Sequence, residues 1–207
     1  SPWQGHPSWE LVEEASEVAQ VDLARLLTDA DVDELRNTRN AQLATFVLSM
    51  LILDAVERLG VDSAGHAGHS LGEYSALAAS GALDFADAVT LVTERGAAMD
   101  TAIEQSPGTM AAVLGLADEQ VETACQEAGT GVWVANYNAP AQVVVAGTPD
   151  AVKDAGQAAR ELGAKKVVSL EVAGAFHTPL MAPARERLAG AIDGTEIRIP
   201  EGTVVAN

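Results

Sequence analysis

The chain has 207 residues, 48% apolar and 4% aromatic, and a formal net charge of −18 from 30 acidic and 12 basic residues. This length allows one well-packed core, or one core with a small second domain. Because so acidic a surface repels nucleic acids and anionic membranes, the composition excludes both as general partners, and an anionic ligand needs a local cation. The aliphatic, aromatic-poor composition favours helices packed on a buried parallel sheet.

The number of cysteines and the length of the apolar stretches indicate the cellular compartment of the protein. The single cysteine, Cys125, leaves no intrachain disulfide and favours a reducing cytosol. The longest apolar stretch, residues 44–56, is shorter than a membrane span and is interrupted by Ser49 and Asp54. We therefore predict a cytoplasmic protein.

The first hundred residues are predicted to be mostly helical. Apolar residues at helical spacing predict a helix over residues 8–27 and a longer one over residues 40–59, which Gly60 ends. The longer helix is apolar on most faces, so we expect it to lie against a sheet in the core. The other predicted elements are a helical turn at 31–36, a short strand at 65–68, and helices at 74–80 and 85–103.

Between residues 109 and 172 the pattern changes to the order βαββαβ, as in a ferredoxin-like unit. The strands are predicted at 109–116, 132–136, 142–147 and 166–172, and the helices at 118–128 and 149–162. We predict an α/β fold in which residues 1–108 and 173–207 form a parallel-sheet, hydrolase-like core, and residues 109–172 form an inserted ferredoxin-like subdomain. Because residues 203–207 resemble a strand cut short and no Met precedes Ser1, we expect the intact protein to extend past both ends.

A G-x-S-x-G motif, Gly68-His69-Ser70-Leu71-Gly72, lies between the predicted strand and helix. A turn this tight needs small residues two before and two after the serine, because side chains there would clash. It exposes the Ser70 hydroxyl, and the Leu71 amide at the start of the helix points to where an acyl oxyanion would develop. The motif predicts a nucleophilic serine.

A serine nucleophile needs a base to accept its proton. Among four histidines, His177 follows a predicted strand and precedes a helix that starts with proline, so we predict it as the base. His69 adjoins Ser70 on the tight turn and points elsewhere. The identity of the group that orients the His177 imidazole stays open. Asp118 and Asp150 lie at helix starts, where capping accounts for them, and a backbone carbonyl or an amide serves equally well.

Several blocks, in order along essentially the whole chain, resemble the bacterial malonyl-CoA:acyl carrier protein transacylases. They are GHSLGEYSAL at 68–77, DFADAV at 84–89, Arg95-Gly96 with Met99, NYNAPAQVVVAG at 136–147, and GAFH at 174–177. The last block has the form found in malonyl-selective members.

The resemblance implies a two-step, ping-pong transfer in fatty acid biosynthesis. Ser70 would attack the malonyl thioester of coenzyme A while His177 accepts its proton. The phosphopantetheine thiol of acyl carrier protein would then take the malonyl group. Arg95 matches the family arginine that holds the malonyl carboxylate, and a guanidinium suits this planar anion because it binds in bidentate fashion.

The resemblance also implies further site residues. Leu71 contributes to the substrate site, Met99 lines the pocket wall, and Asn136 makes a polar contact. Gln42 matches a family glutamine close to the acyl pocket, although Leu43 stands where the family usually has proline. Coenzyme A is a substrate, so no cofactor is implied, and histidines and carboxylates do not cluster at metal-ligand spacing.

Two family features should lie outside the chain: an upstream Gly-Gln-Gly segment that helps form the oxyanion hole, and a downstream segment that offers a carbonyl to the histidine. Alternative functions also remain. A malonyl-selective acyltransferase domain of a polyketide synthase has the same chemistry. A serine thioesterase or esterase shares the motif and transfers to water. A non-catalytic docking domain would not need Ser70, His177 and Arg95 together.

Overall fold

The structure, a computed structural model, describes residues 2–206, so the predictions on Ser1 and Asn207 lie outside the described residues. Contacts between residues divide it into two compact units. The first contains the residues up to Ala98 and those from Arg187 onward, and the second is Met99–Glu186. Both helices and sheets are present, so the chain has an α/β fold.

The first unit is mainly helical. Its helices are α1 (Glu10–Ala19), α2 (Leu23–Thr28), α3 (Val32–Arg36), α4 (Thr38–Glu57) and α5 (Gly72–Ala79), and it includes the first part of α6 (Phe85–Gln105). Short 3-10 helices precede α1 at Pro2–Gly5 and Pro7–Trp9. The unit's core lies among α1, α2, α4 and α6, with Phe46, Leu51, Val89 and Val92 buried at its centre.

The predicted single helix over residues 8–27 is wrong, because the structure has two helices there. Gln20 ends α1 in the left-handed region, with φ 53°. The Asp22 carboxylate then accepts a hydrogen bond of 2.9 Å from the Arg25 amide and starts α2. This local capping signal interrupts an apolar pattern that is continuous in the sequence.

The long helix α4 lies within two residues of its predicted bounds, but its predicted surroundings are wrong. It packs against α1, α2, α3 and α5 rather than against a sheet. The reason is that the strands of the first unit are only two residues long in the described part of the chain, so they offer no face for a helix of 20 residues.

By length and composition alone, α4 is also the one helix in the described residues that is long and apolar enough to cross a membrane. Core helices of folded proteins pass the same test, and α4 buries Phe46, Val47 and Leu51 completely. A single helix of this kind is weak evidence for a membrane span.

Two short strands form the sheet of the first unit. β1 (His66–Ala67) and β6 (Val204–Val205) pair in parallel, with His66 opposite Val204. The predicted strand near the end of the chain is therefore confirmed over two of its residues, and β1 leads into the serine motif.

The second unit contains a four-stranded antiparallel sheet with the order β3-β4-β2-β5. Its strands are β2 (Thr109–Leu114), β3 (Val132–Ala139), β4 (Gln142–Gly147) and β5 (Lys166–Ser169). Its helices are α7 (Asp118–Ala128) and α8 (Pro149–Glu161), and α9 (Ala182–Asp193) begins there after a 3-10 helix, Pro179–Met181. The predicted order βαββαβ is confirmed, although β3 is longer than predicted and both β2 and β5 are shorter.

The two faces of this sheet are covered differently, as alternation along a strand requires. Val113 and Val143 on one face pack with α7 and α8 in one apolar cluster. Val144 and Ala146 on the other face pack with Ala175, in the loop before His177. The sheet therefore anchors the loop that carries the predicted base.

Candidate active site

Ser70 lies in the turn between β1 and α5, as predicted. Its φ of 53° is in the left-handed region, which non-glycine residues seldom occupy. Backbone hydrogen bonds close the turn: the Gly72 amide donates to His69 (2.8 Å) and the Tyr74 amide donates to Leu71 (3.0 Å). The surrounding turn holds Ser70 in a strained conformation of the kind found at functional sites.

The two glycines of the motif have different roles. A Cβ on Gly68 would lie 1.9 Å from the carbonyl oxygen of Gly72, so no side chain fits there. A Cβ on Gly72 would meet nothing within 4 Å. The expectation that clashes require both glycines is confirmed for Gly68 and wrong for Gly72, which starts α5 in open space.

Leu71 is the N-cap residue of α5, with helical φ and ψ of −57° and −35°. Its half-buried side chain packs against the core of the first unit. Its amide belongs to the first turn of the helix, where backbone N–H groups lack partners from a preceding turn.

Arg95, on α6, joins three residues of the first unit. Its Nη2 donates a hydrogen bond of 2.9 Å to the Ser70 Oγ, and its Nη1 donates to the Gln42 Oε1. The ring of Tyr74 lies beside the guanidinium, with its centroid 5.8 Å from the Arg95 Cζ. The structure thus brings three predicted site residues, Ser70, Arg95 and Gln42, together.

The Arg95 guanidinium donates side-chain hydrogen bonds to two neutral groups, the Ser70 hydroxyl and the Gln42 amide. The preceding residue, Glu94, offers a contrast: its carboxylate accepts two hydrogen bonds from the Arg187 guanidinium. Burial lowers the pKa of Arg95, which is half-buried, but an arginine this basic remains protonated. A partly desolvated cation therefore lies beside Ser70, where it can bind an anionic ligand, and the Glu73 carboxylate is near enough to act on its charge.

Gln42 reaches Arg95 because two helices approach closely. Gln42 is buried on α4, with 7% of its surface exposed. One turn earlier on α4, Arg39 packs against Gly96, where a Cβ would lie only 2.8 Å from the Arg39 Cα. Gly96 thus permits an approach of α4 to α6 that a larger residue would prevent.

His177 lies in the second unit, in a loop that several contacts fix. Its own φ is 60°, again in the left-handed region. The Thr178 hydroxyl donates a hydrogen bond of 2.6 Å to the carbonyl of Ala175, which is fully buried. Gly108 allows this packing, since a Cβ there would lie 2.6 Å from the Ala175 Cβ.

Two other predicted site residues also belong to the second unit. Asn136 lies in β3 next to a register shift in its pairing with β4, and Met99 is half-buried in α6. The roles predicted for His177, Asn136 and Met99 stay predictions. The described residues contain no group of three or more histidine, cysteine or acidic side chains placed to hold a metal ion.

Sequence reasoning assigned no role to two residues at this site. Tyr74 lies in the block GHSLGEYSAL, four residues after Ser70, and this short separation is the signal for a contact near the predicted nucleophile. Gly96 stands next to Arg95, but nothing in the sequence indicates that α4 crosses at that position.

The chain matches the family model described as "Acyl transferase domain" over residues 7–204. It is 42% identical, over 200 residues, to a malonyl CoA-acyl carrier protein transacylase of Bacillus subtilis (strain 168), and 41% identical, over 197 residues, to that of Escherichia coli (strain K12). These matches cover 95% and 94% of this chain, and 63% and 64% of the relatives. The chain thus spans less than two thirds of the length of these curated relatives.

Solved structures agree with the sequence matches. A malonyl-transacylase in complex with its type II polyketide acyl carrier protein has a TM-score of 0.92 and 37% identity, covering 99% of this chain and 66% of that one. A transacylase from Streptococcus pneumoniae has a TM-score of 0.91 and 42% identity, covering 99% and 68%. Because the family model matches nearly all of its length, the chain belongs to the acyl transferase domain family.

Proposed function

We propose that the protein transfers a malonyl group from malonyl-CoA to the phosphopantetheine thiol of acyl carrier protein, through a malonyl ester of Ser70, in fatty acid biosynthesis. The observation that carries the proposal is Arg95, a half-buried cation whose Nη2 donates a hydrogen bond of 2.9 Å to the Ser70 Oγ. A malonyl group has a carboxylate to pair with this cation and a thioester for the serine to attack.

The first half-reaction exchanges the thioester for an ester and moves one proton from oxygen to sulfur. The Ser70 Oγ bonds to the thioester carbonyl carbon, and the proton of its hydroxyl passes to His177. The tetrahedral intermediate collapses, the carbon–sulfur bond breaks, and coenzyme A leaves as the thiol after its sulfur takes the proton from His177. The Leu71 amide is the proposed donor to the oxyanion. In the second half-reaction the phosphopantetheine thiol gives its proton to His177 and its sulfur bonds to the ester carbonyl carbon. The carbon–oxygen bond to Ser70 then breaks, and the Ser70 Oγ takes the proton from His177.

The proposed role of Arg95 explains the contacts that it makes without ligand. Its Nη2 donates to the Ser70 Oγ, and the malonyl carboxylate would compete for this donor. Gln42, which accepts from Nη1, is proposed to orient the guanidinium. Met99 and Asn136 are proposed to line the acyl pocket, on the strength of the family resemblance alone.

The names of the relatives support the choice of substrates. They are called malonyl CoA-acyl carrier protein transacylases, and one structural neighbour was solved with an acyl carrier protein. We propose malonyl-CoA and acyl carrier protein as partners of this chain, without a bound cofactor, and a cytoplasmic location.

We also propose the finer architecture predicted from the sequence, a hydrolase-like core with residues 109–172 as an inserted ferredoxin-like subdomain. The strand order β3-β4-β2-β5 of the antiparallel sheet supports it, because the second and third strands of the βαββαβ run are neighbours and the first lies between the third and fourth.

Intact mass spectrometry after brief incubation with malonyl-CoA tests the reaction. We expect a malonyl adduct on the wild type, its loss on addition of acyl carrier protein bearing phosphopantetheine, and no adduct on Ser70→Ala. An adduct that water alone removes would favour a thioesterase. Absence of an adduct on the folded wild type would refute the proposal. Discharge by a polyketide carrier protein alone would place the chain in polyketide synthesis.

A further inference from the structure

We propose that Tyr74 is a positioning residue that holds the plane of the Arg95 guanidinium and thereby sets the preference for acyl groups that end in a carboxylate. This inference rests on the proposed function and deepens it, because it names the feature that selects the class of substrate.

The first argument is geometric. The Arg95 Cζ lies 5.8 Å from the Tyr74 ring centroid, within the range of a cation–π interaction. Tyr74 lies in the first turn of α5, the helix that starts at the serine turn. Its amide donates a hydrogen bond to the Leu71 carbonyl. The position of the ring is therefore tied to the same short segment that positions Ser70.

The second argument concerns which contacts last through the reaction. Arg95 makes three contacts. Two are hydrogen bonds that its N–H groups donate to Ser70 and Gln42, and the third is with the ring of Tyr74. The hydrogen bond to Ser70 changes when the Ser70 Oγ becomes an ester oxygen and a carboxylate competes for Nη2. Gln42 and Tyr74 remain to orient the cation, and a bidentate pair forms only when guanidinium and carboxylate are coplanar.

The third argument is electrostatic. Burial lowers the pKa of Arg95 and raises the pKa of Tyr74, so the cation is partly desolvated while the ring stays a neutral phenol. A glutamate in place of Tyr74 would also stabilise the cation, but it would compete with the substrate carboxylate for the same donors. An aromatic ring attracts the cation without using those donors.

Tyr74 also has a packing role that a test must separate from positioning. It packs against the core of the first unit and lines a cavity of about 310 Å³. Leu77, about one turn further along α5, lines the same cavity. Leu77→Ala therefore serves as a matched control that loosens the same region of the core.

The experiment measures the rate of Ser70 acylation by malonyl-CoA and by acetyl-CoA, which has no carboxylate, over a range of concentrations for wild type and variants. We expect Tyr74→Leu to lower the malonyl-to-acetyl ratio about 10-fold, mainly through a higher KM for malonyl-CoA. Tyr74→Phe, which keeps the ring, should restore the wild-type ratio. Leu77→Ala should lower the melting temperature without changing the ratio. Arg95→Ala, which lacks the guanidinium, gives the lowest malonyl-to-acetyl ratio that the variants can reach.

Each other outcome has a separate meaning. Equal loss of both acylations in Tyr74→Leu would show a structural role and overturn the inference. A Tyr74→Phe variant with the ratio of Tyr74→Leu would show that the hydroxyl matters rather than the ring, which also overturns it. A wild-type ratio in Tyr74→Leu would refute the inference while leaving the proposed function intact, whereas a wild type that forms no malonyl adduct would refute the proposed function itself.

Discussion

The region around Ser70 and the four-stranded sheet of the second unit are held together by contacts of different kinds. In the sheet, backbone ladders and alternating apolar residues such as Val143 and Val144 provide the order. Around Ser70, polar side chains from three helices meet, and Arg95 is 25 residues from Ser70 and 53 from Gln42 in sequence. We therefore expect changes in the sheet to reduce stability, and changes around Ser70 to reduce activity first.

The largest effect on activity is expected at Gly68. Gly68→Ala would place a Cβ 1.9 Å from the Gly72 carbonyl oxygen, so the turn must shift and displace Ser70. A displacement of about 1 Å at a nucleophile costs about 10²-fold in rate. We expect a loss of this size or larger in the rate of Ser70 acylation by malonyl-CoA.

Gly72→Ala is the matched control, since its Cβ meets nothing within 4 Å. It should lose far less activity than Gly68→Ala, with circular dichroism confirming that both variants are folded. Equal losses would mean that the tight approach at Gly68 does not control the serine, and the contrast between the two glycines would fail.

In the sheet, Gly147→Ala should act on stability. Its Cβ would lie 2.0 Å from the Gly131 carbonyl oxygen, and the backbone can yield only by distorting the β3–β4 pairing. We expect the free energy of unfolding to fall by about 3 kcal/mol, measured by denaturant titration. In Gly156→Ala, on α8, the new Cβ meets only side chains, a Val167 methyl at 3.2 Å and the Arg160 Nη1 at 3.8 Å.

In Gly156→Ala, a gain in helix propensity of about 1 kcal/mol opposes the crowding, so we expect little net change in the free energy of unfolding. A Gly147→Ala variant as stable as Gly156→Ala would contradict the view that close backbone packing holds this sheet together.

The smallest effect is expected for the ion pair next to Arg95. The hydrogen bonds from Arg187 lower the pKa of Glu94, so the pair stabilises the fold at neutral pH, and this contribution is lost as the pH falls through the lowered pKa. Because both side chains are partly exposed, Arg187→Ala should cost less than about 1 kcal/mol at pH 7.

The difference in unfolding free energy between wild type and Arg187→Ala should shrink in high salt and disappear in acid. A cost that persists at pH 3 would instead indicate that Arg187 acts through packing of its aliphatic stem.

Much of this molecule follows from its sequence for local reasons. The bounds of α4, α7 and α8 were predicted within two residues, because helical spacing and end signals act over a few neighbours. The motif around Ser70 predicted a strand, a tight turn and a helix for the same reason. The division of residues 8–27 into two helices was missed, although its signal, Asp22 as an N-cap, is also local.

The sequence by itself determined the βαββαβ order of residues 109–172, the serine turn and the family resemblance. Tertiary structure decided that α4 lies among helices, that Gly68 is crowded while Gly72 is free, and that Arg95 contacts Ser70, Gln42 and Tyr74. Local patterns constrain residues a few positions apart, whereas these contacts depend on how whole helices approach. Here that approach depends on one small residue, Gly96, where α6 meets Arg39 of α4.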